Sequence, residues 1–145
     1  MEDTHVLIVE DNAQTTRLIR MMLMDMQVAH VITTADGVEA QEVLDAGEER
    51  IDVILCDWRM PRMTGIELLK IVRKSHPAIP FMMVTANADV DSIKAAASQG
   101  VSGYIAKPFS PLQLKKKLVA LIEPLGFNPR HWYDYVPGKS KGDIS

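Results

Sequence analysis

The sequence predicts an α/β fold in which helices cover both faces of a parallel sheet. Short apolar runs alternate with longer amphipathic stretches from His5 to Leu125, and such alternation marks successive βα units. The runs are nearly continuous in Val, Ile, Leu and Met, as strands buried on both faces are. One run, Val53–Cys56 with Ile51 before it, ends in a carboxylate, Asp57, ahead of a loop marked by Pro61 and Gly65. Ligands of open α/β sheets bind at the carboxyl ends of strands. Asp57 is therefore a metal ligand, a nucleophile or the cap of the next helix.

His5–Val9 is strand one and ends in Glu10-Asp11. Asn12 to Met26 has no Gly or Pro and reads as a helix with Asn12 as N-cap. Its Met21, Met22, Met24 and Met26 read as core filler and groove packing, with a Met-rich binding surface as the other use. Val28–Thr34 is strand two. Asp36 and Glu39 have capping-box spacing, and helix two runs to Ala46, where Gly47 stops it. Ile51–Cys56 is strand three, and Gly65 to about His76 is helix three, closed by Pro77. Pro80–Thr85 is strand four, with proline at its first residue. Asp89–Gln99 is helix four, with Gly100 as its stop. Ser102–Ala106 is strand five. Ser110-Pro111-Leu112-Gln113 starts helix five with a Ser cap, Pro first and Gln third. Leu114, Leu118, Leu121, Ile122 and Leu125 are its apolar stripe, and Lys115-Lys116-Lys117 its solvated face. Right-handed crossovers leave few topologies. The compact one for five strands is the flavodoxin-like doubly wound (βα)5 sheet, order 2-1-3-4-5.

The chain of 145 residues fits one domain, and 47% hydrophobic residues can build a core without disulfides. A net charge of -3 gives no basis for nucleic-acid binding by bulk charge. The single cysteine, Cys56, forms no internal disulfide and points to a reducing compartment. The start MEDTHVLIVED has no signal-peptide core. No run approaches the ~20 apolar residues of a bilayer span. A soluble cytoplasmic protein without membrane contact is expected. His5, His30, His76 and His131 show no metal-ligand spacing.

Strand one delivers Glu10 and Asp11, strand three Asp57, strand four Thr85 and strand five Lys107. In a doubly wound sheet these ends converge near the switch point between strands one and three. Each has an ordinary reading alone: acids favour a helix start, a threonine closes a strand, and Lys-Pro makes a turn. Jointly they form a chemical arrangement. Three carboxylates repel one another unless a cation sits among them. Oxygen-only ligands select a hard ion, and Mg²⁺ suits one or two carboxylates with water and phosphate oxygens completing its shell. Metal and lysine neutralise a phosphoryl group, and an aspartate can accept it as an acyl phosphate.

The stretches LIVEDN, LCDWRMPRMTGIELL, MMVTA and GYIAKPF occur in order and resemble the receiver domain of two-component response regulators over residues 4–127. DWRMP, VTANA, AAASQGVSGYIAKPF and KLVALIEPLGF are most similar to the stand-alone chemotaxis receiver. The resemblance implies phosphorylation of Asp57 by a histidine kinase. It implies Mg²⁺ on Asp11, Asp57 and the backbone carbonyl of Arg59, with Glu10 acting through water. It also implies phosphoryl contacts from Thr85, Ala86 and Lys107, a cis Lys107–Pro108 peptide and an aromatic switch at Tyr104. Output would be a partner protein bound at the face of helix four, strand five and helix five, with no direct nucleic-acid contact. The molecule would be a monomer or a phosphorylation-dependent dimer. It would not be an enzyme beyond self-catalysed phosphotransfer and autodephosphorylation. Arg59 and Asn87 depart from the chemotaxis pattern, where Asn and an acidic residue are common. Both flank the path of attacking water and would tune the phosphoryl lifetime.

Other functions fit less of the chain. A phosphatase of the haloacid dehalogenase type wants a second Asp two residues after the nucleophile, where Arg59 stands. A flavodoxin-like cofactor site wants a Gly/Ser/Thr-rich phosphate loop after strand one, where Glu10-Asp11-Asn12 repels phosphate. A phosphorylation-independent scaffold has no need of all these site residues. The strongest alternative is an N-terminal receiver domain of a longer regulator. Residues 128–145, with Trp132, Tyr133 and Tyr135, would then be a linker to an output domain rather than a C-terminal tail.

Overall fold

A computed structural model describes residues 3–86 and 90–122. Its elements are β1 (His5–Val9), α1 (Ala13–Asp25), β2 (His30–Thr34), α2 (Gly37–Ala46), β3 (Val53–Asp57), α3 (Gly65–Ser75), β4 (Phe81–Thr85), α4 (Val90–Ser98), β5 (Gly103–Ala106) and α5 (Pro111–Ile122). The five strands form one sheet in the order β2-β1-β3-β4-β5, and every neighbouring pair is parallel. The architecture is the expected flavodoxin-like one.

Strand periodicity divides the core into two layers. Val6, Ile8, Val53, Leu55, Met82 and Val84 pack with Ile19, Met22 and Leu23 of α1 and with Leu114, Leu118 and Ile122 of α5. Leu7, Val9, Ile54, Cys56, Phe81 and Met83 pack with α2, α3 and Ala96 of α4. The central strands are therefore apolar on both faces, and each buried Val, Leu, Ile or Met contributes about 1.5–3 kcal/mol. Among the described residues no helix is long and apolar enough to cross a membrane.

The caps follow the side chains that set them. Asn12 accepts from the Thr15 N–H at 2.9 Å. Ser110 and Gln113 bond reciprocally, at 3.1 and 2.8 Å, in the capping box expected of them. Asp36 caps α2 through the Glu39 N–H at 2.9 Å, but the Glu39 carboxylate turns back to the Ala35 N–H instead of closing the box. A complete box at Thr64 and Glu67 starts α3; the Thr-x-x-Glu spacing that signals it stands in the sequence.

Some expectations need correction. Met22 is buried, but Met21 and Met24 are 58% and 60% exposed, so they are not core filler. Ile19, Met22 and Leu23 already fill the inward face of α1. Strand two begins at His30, not Val28, because α1 ends in a Schellman turn. Gln27 sits at φ 67, and the Val28 N–H still bonds the Leu23 carbonyl. Strand three runs from Val53 and includes Asp57, which pairs with Val84. The expected helix-four start at Asp89, Asn87, Leu125 and residues 128–145 lie outside the described residues.

Candidate metal and phosphoryl site

The parallel register delivers the polar residues to one edge. Val9 pairs with Cys56, Asp57 with Val84 and Thr85 with Ala106. The residues that end β1, β3, β4 and β5 are thus level. Glu10, Asp11 and Asp57 each offer a carboxylate oxygen, and these oxygens all lie within 4.8 Å of one another. Glu10 is buried, Asp57 half-buried and Asp11 exposed. Lys107, just past β5, reaches across from the far side. Its Nζ donates to Glu10 Oε1 at 2.8 Å and stands 3.6 Å from Asp57 Oδ1.

Lys107 thus pairs with two of the three carboxylates. Burial pushes the Glu10 carboxyl above its usual range, against the Lys107 hydrogen bond and the Asn12 N–H that hold it down, with Asp57 adding to the rise. The Asn12 N–H meets Glu10 Oε2 at 3.1 Å, so the residue that caps α1 also anchors the acid. Burial likewise pushes the Cys56 thiol well up, with Asp57 adding to it, which leaves it an inert core side chain. An all-oxygen cluster of excess negative charge fits a hard divalent cation.

Thr85 is buried at the end of β4, and its carbonyl accepts from the Lys107 N–H at 2.8 Å. Ala86 follows it, exposed. The Lys107–Pro108 peptide is cis, as the resemblance implies. Gly65 closes the loop after Asp57: its N–H donates to the Trp58 carbonyl at 2.9 Å. A Cβ there would lie 2.5 Å from the Asp57 carbonyl oxygen, so no other residue permits this approach. Arg59, two residues past Asp57, is exposed.

Tyr104 is half-buried on β5, packed against the core layer of α2, α3 and α4. Lys117 of α5 holds its Nζ 5.3 Å from the ring centroid. Behind Thr85 lies a cavity of about 10 Å³ bounded by Trp58, Met83, Ile93 and Tyr104. That is room for about one water and too little for the Tyr104 ring while Thr85 keeps its place. Trp58 was not singled out from sequence. Its place beside Asp57 in the motif was the available signal.

A family model for the response regulator receiver domain matches residues 6–119. The chain belongs to the response regulator receiver family. This receiver is 39% identical over 120 residues to the chemotaxis protein CheY of Pseudomonas aeruginosa, a match covering 81% of this chain and 95% of that one. It is 38% identical over 122 residues to chemotaxis protein CheY-3 of Vibrio cholerae, covering 83% and 92%. Among solved structures it is similar to Vibrio cholerae CheY4, with TM-score 0.74 and 33% identity over 81% of this chain and 98% of that one. It is also similar to the receiver domain of a Pseudomonas aeruginosa sensor histidine kinase, with TM-score 0.72 and 31% identity over 81% and 96%. That receiver was solved with a magnesium ion coordinated in its active-site cleft.

Proposed function

We propose that this receiver accepts a phosphoryl group from a histidine kinase onto Asp57, with Mg²⁺, and so controls a partner protein in chemotaxis-type signalling in the cytoplasm. The observation that carries the reading is the gathering of Glu10, Asp11 and Asp57 oxygens within 4.8 Å of one another, with the Lys107 ammonium beside Glu10 and Asp57. Asp11, Asp57 and the Arg59 carbonyl would hold the ion, with Glu10 acting through water. When bound, it neutralises charge on the phosphoryl oxygens.

The chain supplies the rest. An Asp57 carboxylate oxygen forms the new bond to phosphorus as the bond to the donor nitrogen breaks, and the histidine leaves with its electron pair. Lys107, 3.6 Å from Asp57 Oδ1, is close enough to exchange its attraction to Asp57 for one to the new phosphoryl oxygens. Thr85 offers a hydroxyl from the next strand. Drawing that hydroxyl toward the phosphoryl group opens space behind it for Tyr104. The face of α4, β5 and α5 changes with it, and the partner reads that face. The chain is a phosphoacceptor and performs only its own phosphotransfer and dephosphorylation.

Incubation with Mg²⁺ and acetyl phosphate should add one phosphoryl group by intact mass, and Asp57→Asn should gain none. Equal labelling of Asp57→Asn overturns the assignment.

A further inference from the structure

We propose that Asp36 and Arg62 form a latch that positions the loop leaving Asp57, and through it the metal site. The loop, residues 58–64, contains a γ-turn: the Met63 N–H donates to the Pro61 carbonyl at 2.7 Å. Its central residue, Arg62, sits at φ 67. This turn with positive φ is rare and strained, and a non-glycine residue adopts it only when its surroundings insist.

The insistence comes from β2–α2, far away in sequence. Arg62 Nε donates to Asp36 Oδ2 at 2.8 Å, and Arg62 Nη2 donates to the same oxygen. The other oxygen, Oδ1, caps α2 through the Glu39 N–H at 2.9 Å. Asp36 is 6% exposed, so its carboxylate is oriented by the helix it caps and passes that orientation to the guanidinium. Beside the pair, a Cβ on Gly37 would lie 2.8 Å from Met63 Sδ and 2.9 Å from Met63 Cβ. The absence of a side chain at Gly37 is what lets the loop seat on the start of α2. At the other end the Gly65 N–H ties the loop to the Trp58 carbonyl. The turn is tied at both ends, between Asp57 and α3, and Arg59 lies between the ties. A flexible solvent loop needs neither the strain nor the clamp.

The inference rests on the Mg²⁺ reading above and concerns residues outside the acidic cluster. Partners that orient a metal site from outside commonly change its affinity by about 10–100-fold when removed. Arg62→Gly removes the guanidinium and makes positive φ comfortable. Calorimetric titration of the full chain should show Mg²⁺ affinity about tenfold weaker, with a metal-free melting temperature equal to or above the parent's. Asp36→Asn keeps an oxygen for the Glu39 N–H but loses the charge. It should weaken Mg²⁺ comparably, and the double variant no more than the stronger single one. A merely structural pair would lower the melting temperature and leave affinity unchanged. Affinity of Arg62→Gly within about twofold of the parent, or losses that multiply in the double variant, overturn the latch alone. A parent that binds no Mg²⁺ overturns both latch and functional reading. A parent that binds Mg²⁺ yet is never phosphorylated on Asp57 overturns the functional reading, and the titrations still decide the latch.

Discussion

The two edges of the sheet handle their polar groups in opposite ways. At the amino-terminal edge every named group is paired. The Asp52 carboxylate accepts from the His5 N–H at 2.8 Å and from Arg50 Nε at 3.3 Å. Arg73 donates to the carbonyls of Gly100 and Ile79, both at 2.7 Å, and to Ser102 Oγ at 3.1 Å. Ser102 Oγ accepts the Phe81 N–H as well, at 2.9 Å. One guanidinium thus ties the end of α3 to the entries of β4 and β5. At the carboxyl-terminal edge three carboxylates converge, and one ammonium pairs with two of them. The first edge uses polar groups for stability. The second keeps a repulsion that a cation relieves, so cation binding there has something to act on.

The largest effect that tests this contrast belongs to Arg73. Arg73→Ala removes three hydrogen bonds from a charged donor and loosens two strand entries. Hydrogen bonds to charged groups contribute about 1.5–3 kcal/mol each when buried. Arg73 is only half-buried, so the total should be about 2 kcal/mol, read as a lower midpoint in urea. A loss below about 0.5 kcal/mol would make the paired edge no more stabilising than ordinary surface. A smaller effect of opposite sign is expected across the sheet. Asp11→Asn should raise metal-free stability by about 0.5 kcal/mol, the scale of an exposed charge pair, and abolish most Mg²⁺ affinity. A metal-free Asp11→Asn less stable than the parent would show that the cluster is not strained by its charges.

The same division governs what the sequence reveals. The strands, their order and the convergence of Glu10, Asp11, Asp57, Thr85 and Lys107 were legible, because a parallel sheet of buried strands leaves its ends level. Which acid takes the lysine was not legible. The shorter bond goes to Glu10, 97 residues away, at 2.8 Å, rather than to Asp57. Pairings set by loop geometry are equally hidden: Asp36 and Arg62 are 26 residues apart, with no periodicity to connect them. Gln27 at positive φ carries no sequence signal, because glycine or asparagine usually marks that turn. Met21 and Met24 lie outside the core because α1 carries more apolar residues than its buried face accommodates.

The finest distinction between the edges is their response to acid. His5 and His30 are register partners on β1 and β2, and their rings stack 4.0 Å apart with planes 3° from parallel. Burial lowers the His5 pKa below its ordinary 6.5, His30 and Arg50 lower it further, and Asp52 and Asp3 oppose them. A histidine depressed in this way contributes stability above 6.5 that is lost as pH falls through its folded pKa. Glu10 is shifted upward from 4.5, chiefly by burial. Its contribution is present below 4.5 and lost as pH rises through its folded pKa. Acidifying the metal-free protein should therefore weaken the histidine edge as pH falls below 6.5 and relieve the acidic edge as pH falls toward 4.5. Melting temperatures in EDTA separate the two. His5→Gln should flatten the early decline below about pH 6.5, and Glu10→Gln should leave that decline intact while removing the later relief. If His5→Gln falls in parallel with the parent through the upper window, His5 takes no part in the acid response.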